Sequence, residues 1–109
     1  EVLFKPTKAS EKAIRHDYDG AVSHFVGAAA AGDIGLAEDK GFAINPWTAV
    51  RFEKSRTILN ADSATAMGEY FFTTLAGDVA KVEYTFQYRR AADGALKIVV
   101  HHSSVPFAA

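Results

Sequence analysis

The chain has 109 residues, a net charge of −1 and no cysteine. That length suits one domain, and scattered Lys and Arg with no basic stripe argue against a nucleic-acid partner. The absence of thiols excludes disulfides, thiol nucleophiles and cysteine metal sites, and no apolar run approaches the ~20 residues of a membrane span.

Eight Phe, four Tyr and one Trp supply enough aromatic volume for one core. The chain begins at Glu1 with no methionine or signal peptide and reads as a trimmed or processed product. Its compartment is left open: a soluble, bacterial-type protein, cytoplasmic or secreted after processing.

Val2-Leu3-Phe4 reads as a short apolar strand stopped by Pro6. Residues 7–16 are polar and irregular. Asp17 then precedes a helical pattern in which Tyr18, Val22, Phe25, Val26 and Ala29 share one face. Asp17 suits the N-cap and Gly32 the stop. Gly20 and Gly27 each weaken this helix by about 1 kcal/mol relative to alanine, so packing must hold it. Gly35, Gly41 and Pro46 make residues 33–46 a loop with one helical turn.

From Trp47 the pattern changes to period two. Strands are expected over 47–59, 64–75, 80–90 and 95–104, with turns at Asn60–Ser63, Ala76-Gly77-Asp78 and Asp93-Gly94. The third strand is the clearest: Val82, Tyr84, Phe86 and Tyr88 alternate with Glu83, Thr85, Gln87 and Arg89. The same alternation puts Leu96, Ile98, Val100 and His102 on the apolar face of the fourth, and Lys97, Val99, His101 and Ser103 on the other. Short turns imply an antiparallel meander. Strands this long must twist and bend, and Gly68 is a candidate bend. The fold class is therefore α+β: a cone-shaped, curved antiparallel sheet packed on a helix.

Several strings carry a family likeness: Val2-Leu3-Phe4-Lys5-Pro6-Thr7, Arg15 ahead of the helix, and Ala66-Met67-Gly68-Glu69-Tyr70-Phe71-Phe72. Val82-Glu83-Tyr84-Thr85-Phe86 and His101-His102-Ser103-Ser104-Val105-Pro106 complete the set. On these the chain resembles the nuclear transport factor 2-like (cystatin-like) superfamily. Within it, the likeness is to bacterial relatives of the association domain of calcium/calmodulin-dependent protein kinase II and to polyketide-cyclase-like proteins. The resemblance implies one such domain over 1–109, a roll whose usual first helix is missing, and a cone that holds a small-molecule ligand. It also implies assembly as a homodimer or higher homo-oligomer. Glu83 departs from the pattern: many relatives carry there an arginine that helps bind small carboxylates.

The chemistry is less specific. His101 and His102 are strand neighbours pointing to opposite faces, so they do not chelate one metal together. His102, on the apolar face, is either a general base in the cone or a core histidine satisfied by Ser104 or a backbone group. Tyr84 is its candidate catalytic partner. Tyr70, Tyr84 and Tyr88 are phenolic donors or core aromatics. Trp47 lines the pocket mouth or anchors packing. Arg15 reaches a ligand anion or pairs with Asp17 or Asp19. Glu53, Glu69 and Glu83 are the strand carboxylates. Glu83, Thr85, Gln87, Arg89 and His101 form a half-polar outer face suited to a symmetric interface. His16 and His24 are read as surface residues.

No phosphate loop, zinc spacing, nucleophile elbow or dinucleotide fingerprint occurs, so no cofactor and no metal are expected. Two functions remain open. One is a small-ligand-binding, self-associating domain of the association type. The other is a cofactor-free isomerase, dehydratase or cyclase acting on a small apolar carbonyl compound.

Overall fold

The computed structural model describes residues 1–108. Strand β1 (Leu3–Lys5) precedes helix α1 (Tyr18–Val26) and a single turn, α2 (Ala28–Ala31). Short 3₁₀ turns follow at Gly32–Ile34 and Phe42–Ile44. Then come four long strands: β2 (Ala49–Leu59), β3 (Ser63–Thr73), β4 (Val79–Arg90) and β5 (Leu96–Ser104). The spatial order is β1-β5-β4-β3-β2. The expected meander is present, and β1 adds a fifth strand parallel to β5, placing Phe4 opposite His101. No helix among the described residues is long and apolar enough to cross a membrane.

The helix differs from its sequence reading. Asp17 caps it as expected, its Oδ1 accepting from the Gly20 amide at 2.8 Å. The helix then breaks at Gly27, five residues before Gly32, because Gly27 takes φ +90°. A Cβ there would lie 3.2 Å from the backbone of Lys40 and Gly41, so glycine serves both the turn and the close approach. The face buried most deeply is small, Gly20 and Ser23, whereas Tyr18 is exposed. Val22, Phe25 and Val26 are half-buried.

Two β-bulges reshape the sheet. In β2 the register jumps between Glu53 and Arg56, so Lys54 and Ser55 together face Gly68. The irregularity lies in the strand opposite Gly68, not in Gly68's own strand. In β5, Tyr88 pairs with Ile98 but Gln87 pairs with Val100, leaving Val99 as the extra residue. One extra residue reverses the alternation beyond it. Leu96 and Ile98 keep the apolar face expected for them. Past Val99, His101 and Ser103 turn inward with Phe86 and Tyr84, and His102 turns outward opposite Thr85. The assignment of His102 to the cone and of His101 to the outer face is thereby corrected.

The core fills the inner face of the sheet. Phe4, Tyr70, Phe72, Val82 and Tyr84 are buried, and Phe42, Trp47, Ala66 and Phe86 pack around the last four. Ring contacts link them, among them Tyr70 with Tyr84 at 4.7 Å and Phe42 with Phe72 at 5.1 Å between centroids.

Candidate active site

Four strands converge on a patch of hydroxyl groups at the inner face. Tyr84 on β4 stands in register with Gly68 on β3 and Ser103 on β5. Its phenol hydrogen-bonds Ser55 Oγ, which the β2 bulge presents. The place is kept open by Gly68, where a Cβ would lie 2.8 Å from the Tyr84 hydroxyl and 2.9 Å from Ser55 Cα. Tyr70 on β3 reaches across Tyr84 and bonds Ser103 Oγ. Ser103 in turn faces His101 Nε2 at 3.4 Å, the outer limit of a hydrogen bond. The result is two hydroxyl pairs, Tyr70–Ser103 and Tyr84–Ser55, with one imidazole beside them.

The surroundings are apolar. His101 lies against Phe86 at 4.4 Å and Phe4 at 4.8 Å between centroids. Burial pushes its pKa down to about 4, with His24 and His102 adding to the effect. It is therefore a neutral imidazole at neutral pH. Burial raises the Tyr70 pKa against the opposing effect of its Ser103 bond, so this phenol stays protonated and can donate. Together these groups can donate to a developing oxyanion and accept a proton without carrying charge at rest.

Arg15 lies elsewhere and does other work. It is fully buried, and its guanidinium grips both Asp39 oxygens at 2.8 Å. It also donates to the carbonyls of Lys12 and Gly20 and to Glu38. Ser23 donates to Asp39 as well, while Glu38 accepts from the amides of Ser10, Glu11 and Lys12. Those amide bonds, that of Lys12 first, hold the Glu38 carboxyl down to about 2. Neither Asp17 nor Asp19 is the partner; Asp17 is occupied by the helix cap. The knot fastens the loop before α1 to the loop after it and leaves no guanidinium donor aimed at a ligand.

The remaining candidates separate by face. Trp47 packs on Phe42 and Phe72, donates from Nε1 to the Phe42 carbonyl at 2.9 Å, and also lines a cavity. Tyr88 stacks on Phe86 at the inner face, outside the hydroxyl patch. Glu53, Glu69 and Glu83 lie in one row across the outer face, where Lys81 and Lys54 pair with Glu69 at 2.9 and 3.6 Å. The bond to Lys81 is the largest influence lowering the Glu69 pKa. Glu83, Thr85, Gln87 and Arg89 share that outer face with His102 rather than His101. His16 is exposed, but His24 is not a surface residue: it stacks on Phe42 and meets Phe4 and Phe25, and burial pushes its pKa down to about 4.

Sequence reasoning missed Ser55, Ser103 and Asp39. Ser103 was hidden by the Val99 bulge, which no glycine or proline marks. Asp39 sits in a loop without a pattern. Gly68, flagged as a bend, was a usable signal for a close approach beside Tyr84. Among the described residues no group of three or more His, Cys, Asp or Glu is placed to share a metal ion.

Comparison with known proteins identifies the family. The profile of a family described as metal-independent carbonic anhydrase matches residues 1–105. The chain is 37% identical over 107 residues to the metal-independent carbonic anhydrase of a Nostoc species, covering 97% of this chain and 50% of that protein. It therefore spans half the length of that curated relative. The crystal structure of an iota-carbonic anhydrase from a cyanobacterium, complexed with bicarbonate, superposes with a TM-score of 0.85 at 36% identity, covering 99% of this chain and 64% of the other. A protein of the nuclear transport factor 2-like family from Streptomyces avermitilis superposes only at TM-score 0.44 and 22% identity over 62% of this chain and 50% of its own. The expected α+β roll stands on the fold itself and on the cyanobacterial likeness. The family matches overturn the association-domain reading, and with it the isomerase, dehydratase or cyclase alternative. This chain belongs to the metal-independent carbonic anhydrase family.

Proposed function

We propose that the hydroxyl patch hydrates CO₂ to bicarbonate, and dehydrates bicarbonate in the reverse direction, using its own side chains as the acid and base. The observation that carries this reading is the pairing of two tyrosine–serine hydroxyl couples, Tyr70–Ser103 buried and Tyr84–Ser55 partly so, with a neutral histidine on one apolar face. CO₂ is apolar and enters such a surface without a desolvation cost. During attack, a water oxygen bonds to carbon, one C=O bond becomes C–O⁻, and the water loses a proton. Tyr84, accepting from Ser55, and Tyr70, turning its proton away from Ser103, donate to the oxygen that gains charge. Ser103 accepts the proton from water while passing its own to His101 Nε2, from which it leaves to buffer. A donor of this kind contributes about 10²–10³ in rate.

Stopped-flow hydration of CO₂, read by a pH indicator on chelator-treated protein, tests the reading. Turnover above the buffer rate that falls at least a hundredfold in Tyr70→Phe and Ser103→Ala is the expected result. A rate no greater than buffer, or unchanged rates in both variants, overturns it.

A further inference from the structure

A cavity of about 780 Å³ opens near the core, yet none of Tyr70, Tyr84, Ser55, Ser103 or His101 lines it. Phe42, Ile44, Trp47 and Val82 form its apolar wall, and Lys8 and Lys40 also line it. The volume falls in the ~300–1,000 Å³ range of small-molecule sites and far exceeds what bicarbonate fills. Trp47 is fixed in place by its bond to the Phe42 carbonyl and its contacts with Phe42 and Phe72, so this wall is preformed.

Charge decides what the cavity takes. Glu38 and Asp39 line it too, but their oxygens are committed to Arg15, Ser23 and the amides of residues 10–12. Lys81 is committed to Glu69. The ammonium groups of Lys8 and Lys40 form no ion pair among the described residues. Among the described lining residues, Lys8 and Lys40 are thus charges left without an ion-pair partner, and they favour an anion.

We propose that this cavity is a second binding site, separate from the hydroxyl patch, for a small amphipathic anion. Its apolar chain or ring lies on Phe42, Trp47 and Val82, and its single acidic group meets Lys8 and Lys40. The assignment does not depend on the carbonic anhydrase reading.

Trp47 is the only tryptophan, so its emission reports the cavity directly. Octanoate is the probe, with octanamide as its uncharged counterpart. Titration with octanoate should give a saturable change in emission, with octanamide at least tenfold weaker. Lys8→Gln/Lys40→Gln, both at exposed positions and checked for folding by circular dichroism, should weaken octanoate at least tenfold. No saturation up to the solubility limit overturns the proposal. So does equal affinity for octanamide, which would make the cavity a general apolar groove, or unchanged affinity in the lysine variant. Emission that depends on protein concentration and ignores octanoate would mean that a second copy fills the space, and overturns it as well.

Discussion

Replacing Asp39 with alanine tests the structural reading of Arg15 most sharply. Arg15 places five donor contacts: one on Lys12 O, one on Gly20 O, two on Asp39 and one on Glu38. Asp39→Ala removes two of these and the nearer counter-charge, leaving a fully buried guanidinium. Breaking a buried ion pair by deleting one partner costs about 3–5 kcal/mol. Glu38 remains at 3.4 Å as a residual counter-charge, which favours the lower figure. A loss of about 3 kcal/mol is a large fraction of the 5–15 kcal/mol that holds a typical domain together. With a urea dependence near 2 kcal/mol/M, the midpoint should fall by about 1.5 M. Urea unfolding at pH 7.5, followed by Trp47 emission, measures this. The double variant Arg15→Met/Asp39→Leu should lose less than Asp39→Ala alone, since it strands no charge. A loss below about 1 kcal/mol for Asp39→Ala, or a double variant that loses the sum of the two singles, refutes the argument.

Three further outcomes are expected. Gly68→Ala should cost about 1–3 kcal/mol from overpacking, because Ser55 Cα is backbone and cannot yield, and CO₂ hydration should fall with the displaced Tyr84–Ser55 pair; wild-type stability and rate in the variant would contradict this. His101→Ala should lower hydration strongly and His102→Ala only slightly, a ranking that indicator assays on the two variants can reverse. Folding stability should decline as pH falls from 6.5 to about 4, because unfolded His24 and His101 bind protons there that the folded protein refuses. A further decline should follow from 4.5 to about 2 as Glu38 is protonated. Urea midpoints across that range measure the slope, and His24→Phe should flatten its upper part.

The period-two signal from Trp47 onward placed all four long strands and their turns within a few residues, because one face of each strand must differ from the other. Asp17 was legible as a cap because its side chain acts on its own neighbours. Legibility failed where the decisive partner was remote. Arg15 could not reveal Asp39, which is 24 residues away in a loop, and Gly27 could not reveal that Gly41 lies against it. The hydroxyl patch was half visible: Tyr70 and Tyr84 follow from alternation, but Ser103 and His101 do not. Ile98, Val99 and Val100 are all β-branched and favour strand equally, so nothing in their chemistry marks one of them as unpaired.

That unpaired residue has a consequence for comparing chain lengths. Losing Val99 would leave Ile98 opposite Tyr88 and Val100 opposite Gln87, the pairs they already form, and would keep His101 and Ser103 pointing inward. Relatives can therefore differ by one residue at this point and still present the same imidazole and hydroxyl to the cone. The gap belongs at the bulge, and an alignment that spreads it elsewhere along the strand would equate His101 with a residue that faces solvent.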